Sequence, residues 1–205
     1  MSHEGKGCMK GLLIRVRNVL IRPGAEWHVI KDEPATYQGI ILRYVCMIAA
    51  VPPAAAVVGR IVFDAFIPGG SSATLLKPLF AANLLWYCMS ILNVVITGSI
   101  ITAVTAHADS RWSGLRGIKI SAYSFTPLFA AGLLAVIPYM AWSVNVAILY
   151  GFYILYRGIR IFSALSAWRA AWYAGVSFTA AAIIVGVMNL FEYMLESFVA
   201  KKVFF

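Results

Sequence analysis

Five apolar segments, each long enough to cross a bilayer, restrict this chain to a membrane fold. A transmembrane helix needs about 20 apolar residues, and the segments cover residues 40–63, 79–106, 118–142, 144–163 and 171–190. Only 12% of the residues are charged, compared with roughly 25% in soluble proteins. The sequence therefore predicts an all-α integral membrane protein, built as a bundle of five transmembrane helices.

Basic residues are concentrated before the first segment and in the second and fourth connections, and the formal net charge is +9. Because cytoplasmic loops carry the excess of Lys and Arg, we expect the N-terminus in the cytoplasm and the C-terminus outside. Basic residues along membrane edges indicate anionic lipid, and we expect no nucleic-acid partner. Residues 40–205 are predicted to form one membrane domain, which follows a cytoplasmic basic arm of residues 1–39.

The first half of the arm has the pattern of a short amphipathic helix. Its apolar side chains gather on one side of a helical wheel, Lys10 and Arg17 lie on the far side, and Arg15 lies on a flank. A short second helix that starts near Pro23 would carry Trp27. The pattern predicts a membrane-surface arm whose basic residues meet anionic lipid. An amphipathic helix packed on the cytoplasmic face of the protein is an equal alternative.

Prolines interrupt the first and third apolar segments. A proline inside a helix removes a backbone donor, which hydrocarbon cannot replace. We therefore expect helix bends, packed against neighbouring spans, at Pro52, Pro53, Pro127 and Pro138.

Polar side chains on the apolar segments are the candidate contact sites. A stripe on the second segment indicates either helix packing or the wall of a polar cavity. On the fourth segment two tyrosines and an arginine share one face, which is typical of a snorkelling arginine or of an anion held beside tyrosine hydroxyls. The candidate lipid, partner or cavity contacts are Asn83, Asn93, Tyr123, Tyr150, Tyr153, Arg157 and Arg160.

Two carboxylates, Glu192 and Glu196, lie one turn apart after the last apolar segment. Such a pair can bind a cation or relay protons, but at the end of a span it is also typical of a solvated surface. The sequence offers no nucleophile beside a base and no His/Cys cluster with metal spacing. We therefore predict no enzymatic activity, no metal and no cofactor.

Three stretches of the sequence carry a family resemblance. The stretches are Ala122-Tyr123-Ser124-Phe125-Thr126-Pro127, Ile137-Pro138 and Leu149-Tyr150-Gly151-Phe152-Tyr153-Ile154-Leu155-Tyr156-Arg157-Gly158-Ile159. Together they resemble the core pattern of the Yip (Ypt-interacting protein) domain family. In the arm, Pro23, Trp27, Ile30 and Glu33 resemble the lead-in of its short prokaryotic members.

The resemblance implies a non-enzymatic, multi-span membrane protein. Eukaryotic members of this family bind small GTPases through a long cytoplasmic extension and help to shape transport vesicles. Here the arm has only about 40 residues and is basic, so GTPase binding is the implied property that this sequence supports least. A short arm resembles the prokaryotic branch, which implies a location in the cytoplasmic (inner) membrane.

Two functional hypotheses remain open from the sequence. In the first, the protein organises lipid or partner proteins, and its partners are anionic membrane lipids, other membrane proteins or a second copy of itself. In the second, the protein is a conduit for a small solute, an ion or a lipid through a polar intramembrane cavity. Convergence of the polar candidates on one cavity would favour the second hypothesis, whereas a dry, tightly packed centre would favour the first.

Overall fold

The structure of the chain is a computed structural model. The structure describes the backbone of residues 3–66, 72–106, 112–137, 140, 142–163 and 165–203. It describes the side chains of residues 9–62, 80–106, 112–134, 136–137, 140, 142–163, 165–187, 190 and 193–194. Pro138 and the side chains of Glu192 and Glu196 lie outside these residues, although both glutamates belong to the last helix.

Every regular element among the described residues is helical. The α-helices are α1 (His3–Ile21), α2 (Pro23–Asp32), α3 (Tyr37–Ile40), α4 (Cys46–Ala49), α5 (Val51–Phe66), α6 (Ser72–Ala106), α7 (Gly114–Ser124), α8 (Thr126–Ala131), α9 (Trp142–Ser163) and α10 (Ala167–Val203). A π-helical turn (Ile41–Val45) joins α3 to α4, and a 3-10 segment (Gly132–Val136) follows α8.

Four helical stretches among the described residues are long and apolar enough to cross a membrane. They are Tyr37–Val62, Phe80–Ala106, Trp142–Ser163 and Ala167–Val187. These correspond to four of the five predicted segments. The prediction of five continuous spans is not confirmed, because residues 118–142 do not form one helix: α7 ends before Phe125, α8 has six residues, and a 3-10 segment follows.

The first part of the interrupted third segment, helix α7, lies at the centre of the bundle. Every residue from Gly117 to Ser124 is buried, so α7 is enclosed by protein from Gly117 onward. Its neighbours are α6 and α9, and the following 3-10 segment packs on α5. An enclosed helix does not face lipid, so it can carry polar side chains such as Lys119 and Ser121 where a lipid-exposed helix could not.

The first span is interrupted where its two prolines stand. Helix α4 ends at Ala49 and α5 begins at Val51, immediately before Pro52 and Pro53. The Ala50 carbonyl still accepts a hydrogen bond from the Ala54 amide, at 3.1 Å. Pro52 is buried and faces Gly132, where an added Cβ would lie 3.1 Å from the Pro52 Cα atom. A larger residue at 132 would therefore push the third segment away from the first span.

A sharp bend at Arg22 folds α1 back towards α2. Arg22 has φ −134° and ψ 56°, and Pro23 opens α2. Arg15 forms ion pairs with both Glu26 and Glu33. In one straight helix, residues 15 and 33 would lie about 27 Å apart, which is beyond the reach of an ion pair. The bend therefore gives the arm a tertiary structure of its own.

Candidate functional site

Trp27 occupies the centre of a buried cluster that joins the arm to the bundle. Its side chain is 1% exposed, and its indole N–H donates to the Ile154 carbonyl at 3.1 Å. The ring makes edge-on contacts with Tyr123 and Phe162, at centroid distances of 6.1 and 5.9 Å. We call Trp27, Tyr123, Ile154, Gly158 and Phe162 the Trp27 cluster. Trp27 therefore lies inside the protein and not at a membrane surface.

Helix α2 runs alongside the second half of α9. The Tyr150 hydroxyl donates to the Leu20 carbonyl at 2.6 Å, just before the bend. Further along, Trp27 contacts Ile154, and the Lys31 ammonium donates to the Ile161 carbonyl at 2.9 Å. Residue numbers rise together in both partners of these contacts, so α2 is parallel to α9. The second half of the arm is therefore part of the bundle.

Lys119 fixes the end of α2. Its ammonium, on the enclosed helix α7, donates to the Ile30 carbonyl at 2.8 Å and to the Glu33 carbonyl at 2.5 Å. The last carbonyls of a helix have no partner within the helix and carry a partial negative charge. A lysine that donates to them supplies both a hydrogen bond and a favourable charge. Lys119 is 6% exposed, so this contact is well shielded from solvent.

Arg15 holds α1 against the same region. It pairs with Glu26 at 2.6 Å and also with Glu33. Burial by itself lowers the pKa of the Arg15 guanidinium, but interactions with Tyr123, Glu33 and Glu26 outweigh this effect and raise the pKa above its ordinary value. Arg15 therefore stays cationic and is occupied by protein carboxylates. Lys10 and Arg17 on the same helix are exposed.

Two glycines permit the close approach of α2 to α9. A Cβ at Gly158 would lie 2.8 Å from Cζ2 of Trp27, and a Cβ at Gly24 would collide with the Arg157 guanidinium. The Arg157 side chain therefore lies over the first turn of α2. Its Nε atom is buried and has no hydrogen-bond partner among the described residues. The other predicted arginine, Arg160, is exposed and donates to the Tyr156 hydroxyl at 3.4 Å.

A separate cavity of about 590 Å³ lies between α6, α7, α8, α9 and α10. Asn93 lines it, together with Ser90, Thr97, Ser121 and Ser124. The remaining lining is apolar or aromatic. Asn93 stands thirteen residues from either end of the candidate span Phe80–Ala106, which places the cavity near mid-depth.

The predicted polar candidates do not converge on this cavity. Asn93 lines it, but Asn83 lies ten residues away along α6, a rise of about 15 Å. Tyr123 and Tyr150 contact the arm, on the other side of α7 and α9, and Arg157 lies with them. Tyr153 is 43% exposed and stacks on Tyr150 at a centroid distance of 5.9 Å. The structure therefore separates an arm-binding face from a mid-depth cavity.

The family model of the Yip1 domain matches residues 17–188. The chain belongs to the Yip1 domain family. The matched region begins within α1 and includes Trp27, so the arm contact is internal to the domain. The Trp27 cluster joins the Pro23–Glu33 stretch of the sequence to the Ala122–Gly158 stretch, which explains physically why residues so distant in the chain form one pattern.

Curated relatives of this Yip1 domain are inner membrane proteins. The chain is 28% identical over 176 residues to "Inner membrane protein YohC" of Escherichia coli strain K12, covering 82% of this chain and 86% of that protein. The protein of the same name from Escherichia coli O6:H1, strain CFT073, matches equally. No solved structure matches the chain. With the four apolar helices, these relatives confirm the expected integral protein of a prokaryotic inner membrane.

Several residues of the site were not singled out from the sequence. Lys119 was not among the predicted contact residues, yet it caps α2. Glu26 pairs with Arg15, and Tyr44 contacts Tyr123 at a centroid distance of 4.5 Å while sharing a 2.8 Å hydrogen bond with Thr126. The position of Lys119 beside the apolar run of α7 could have predicted this contact, because a charged side chain near a membrane span needs a partner.

Proposed function

We propose that this Yip1 domain is a non-enzymatic membrane protein that organises lipid and partner proteins at the inner membrane. The observation that carries the proposal is the surface of α1. Val19 is buried on the protein side, while Met9 and Leu13 are 62% and 61% exposed. Exposed Lys10 and Arg17 belong to the same helix. An apolar edge beside exposed cations suits the boundary between hydrocarbon and anionic headgroups.

The arm offers this surface in a fixed position. The ion pairs of Arg15 and the burial of Trp27 and Ile30 hold α1 and α2 against the bundle. A helix that is already ordered loses less conformational entropy when it meets lipid than a disordered segment does. The proposal is therefore a rigid basic surface that gathers anionic lipid around the protein. Partner membrane proteins, or a second copy of the chain, would meet it there.

The proposal includes five membrane crossings, with the N-terminus in the cytoplasm and the C-terminus outside. It is supported by the order of contacts between the first and third segments. Gly114 approaches the Tyr37 hydroxyl, the Tyr123 ring contacts the Tyr44 ring, and the 3-10 segment packs on α5. The interrupted segment thus runs parallel to the first span over its length, as a fifth crossing would.

The test compares charge reversal with charge retention on α1. Removing residues 1–21 altogether would also remove the Arg15 ion pairs and the Leu20 carbonyl that Tyr150 binds. The variant Lys10→Glu/Arg17→Glu changes only exposed side chains, and Lys10→Arg/Arg17→Lys is its matched control. Each purified full-length protein is reconstituted in nanodiscs that contain phosphatidylglycerol and phosphatidylcholine, and the lipids that stay bound are counted by native mass spectrometry.

We expect the wild type and the control to retain phosphatidylglycerol preferentially. At about 1 kcal/mol for each basic residue near an anionic surface, the double reversal is expected to reduce this preference at least tenfold. An unchanged preference in the reversed variant, with unchanged helical content, would refute the role of α1.

The conduit hypothesis has one supporting observation, the cavity at Asn93. A conduit for ions or polar solutes would need a continuous polar path to both membrane faces. Tyr123, Tyr150 and Arg157, whose convergence on the cavity would favour a conduit, lie on the other side of α7 and α9. Because a binding cavity explains Asn93 without such a path, we favour the lipid-organising function.

A further inference from the structure

The cavity has the features of a built binding site within the membrane. Its volume of about 590 Å³ lies in the range of ligand pockets, roughly 300–1,000 Å³. It is lined mainly by apolar and aromatic groups, with a few polar side chains on one wall. This composition is the one expected for a ligand that is mostly apolar and carries a small polar part.

The cavity borders the lipid-facing surface beside α10. Ala182 and Gly186 line the cavity and are also exposed. A Cβ added to Gly186 would meet nothing within 4 Å. On α9, Val144 and Ile148 line the cavity and are half-buried. A molecule dissolved in the bilayer can therefore reach the cavity sideways, without passing through water.

The polar wall retains capacity for hydrogen bonds. The Ser90 and Ser121 hydroxyls are occupied, because they donate to the Trp86 and Val94 carbonyls at 2.8 and 2.7 Å. The Asn93 carboxamide oxygen accepts from Thr97 at 3.1 Å, which leaves its NH2 group as a donor. Ser124 is 7% exposed, and its hydroxyl is buried without a partner among the described residues. An unsatisfied hydroxyl in a buried site is costly until a ligand or water meets it.

No charged side chain is among the described residues that line the cavity. A charged headgroup brought to mid-depth would lose its hydration and gain no counter-charge. Neutral oxygen-bearing groups have a much smaller desolvation cost and can accept hydrogen bonds from the donors present. The aromatic rings of Trp86, Phe125 and Phe178 on the walls also suit a compact head.

We propose that the cavity binds a neutral membrane lipid with a compact, oxygen-bearing head, which meets Asn93 while its apolar tail leaves beside α10. Two sources supply this chemistry in a bilayer: isoprenoid quinones and diacylglycerols. The inference deepens the proposed lipid-organising function but uses none of the arm residues. A negative result for the cavity therefore leaves the α1 experiment unaffected, and the converse also holds.

The experiment measures ligand-induced stabilisation of the full-length protein in detergent. Three probes are titrated separately: a ubiquinone with a two-isoprene tail, dioctanoylglycerol, and dioctanoyl phosphatidylglycerol. The last two share their acyl chains and differ in the charged head. Because Trp86 lines the cavity, quenching of its fluorescence by the quinone, measured against Trp86→Phe, provides a second readout.

Two cavity variants and one matched control locate the binding. Gly186→Leu fills the opening, and its first side-chain atom enters free space. Gly175→Leu is the control, because it lies on the same helix, also has free space around it, and does not line the cavity. Asn93→Leu removes the carboxamide at a nearly unchanged side-chain size.

We expect saturable stabilisation by at least one neutral probe, at a concentration at least tenfold lower than phosphatidylglycerol requires. Gly186→Leu should abolish it, Gly175→Leu should leave it unchanged, and Asn93→Leu should weaken it roughly tenfold, as expected for one lost hydrogen bond. The neutral probe that binds shows whether the natural ligand is an isoprenoid quinone or a diacylglycerol. Failure of both neutral probes, equal binding of phosphatidylglycerol, or full binding by folded Gly186→Leu would overturn the proposal.

Discussion

Replacing Gly158 with alanine tests whether Trp27 is held as rigidly as its contacts imply. The new Cβ would lie 2.8, 3.0 and 3.1 Å from three carbon atoms of the Trp27 ring. The ring has little room to retreat, because its N–H is bonded to Ile154 and it makes edge-on contacts with Tyr123 and Phe162. Either the indole must shift or α2 must move away from α9.

The size of the effect follows from two opposing contributions. Overpacking a rigid site costs about 1–3 kcal/mol, whereas alanine in place of glycine favours the helix by up to about 1 kcal/mol. Gly175→Ala has the same benefit without the contact, since nothing lies within 4 Å of that position. The two alanine variants should therefore differ in unfolding free energy by about 1–3 kcal/mol, with Gly158→Ala the less stable.

The assay is equilibrium unfolding in mixed dodecylmaltoside–SDS micelles, followed by far-ultraviolet circular dichroism. A double-mutant cycle adds Trp27→Ala, which removes the obstructing ring. In that background Gly158→Ala should no longer destabilise the protein, and the coupling energy should equal the overpacking cost of about 1–3 kcal/mol. Equal stabilities of the two alanine variants, or a coupling within about 0.5 kcal/mol of zero, would show that the arm is not locked against α9.

Two further predictions concern the contact of Lys119 with the end of α2 and the membrane topology. Lys119→Met leaves the last carbonyls of α2 without their donor and should lower the unfolding free energy by about 1–3 kcal/mol. Lys31→Met, which removes a solvated hydrogen bond, should cost less than about 1 kcal/mol, and equal losses would contradict the capping role. Five crossings predict that alkaline phosphatase fused to the C-terminus is active and that a fluorescent protein fused to the N-terminus folds in the cytoplasm. An inactive phosphatase fusion on a stable protein would argue for an even number of crossings.

The sequence predicted the lipid-facing parts of this fold well, because lipid exposure imposes a simple composition. The spans around Leu84, Leu149 and Ile183 expose large apolar side chains, and each was recognisable as an apolar run of membrane length. The third segment was harder. Its apolar run continues through Phe125, whereas the helix ends there, and hydropathy does not report where a backbone breaks.

The arm shows a second limit of sequence analysis. Lipid and protein interior are both apolar, so an amphipathic pattern is the same whether the apolar side meets a bilayer or a neighbouring helix. The pattern around Val19 and Trp27 therefore fitted a surface arm, although both side chains are buried in the bundle. The mid-depth cavity was partly foreseeable from the polar stripe with Asn93. Its opening at Gly186 was not, because a glycine pattern indicates close packing as readily as empty space.

The hydrogen bond from Trp27 to Ile154 has a consequence for synthesis of the chain. Its two residues are 127 positions apart, so at about 5–20 residues per second the arm waits roughly 6–25 seconds for its acceptor to be made. During that interval Trp27 and Ile30 lack the groove that later buries them. Until α9 is made, these two apolar side chains of the nascent arm are left unburied, so the arm can take its final place only late in synthesis.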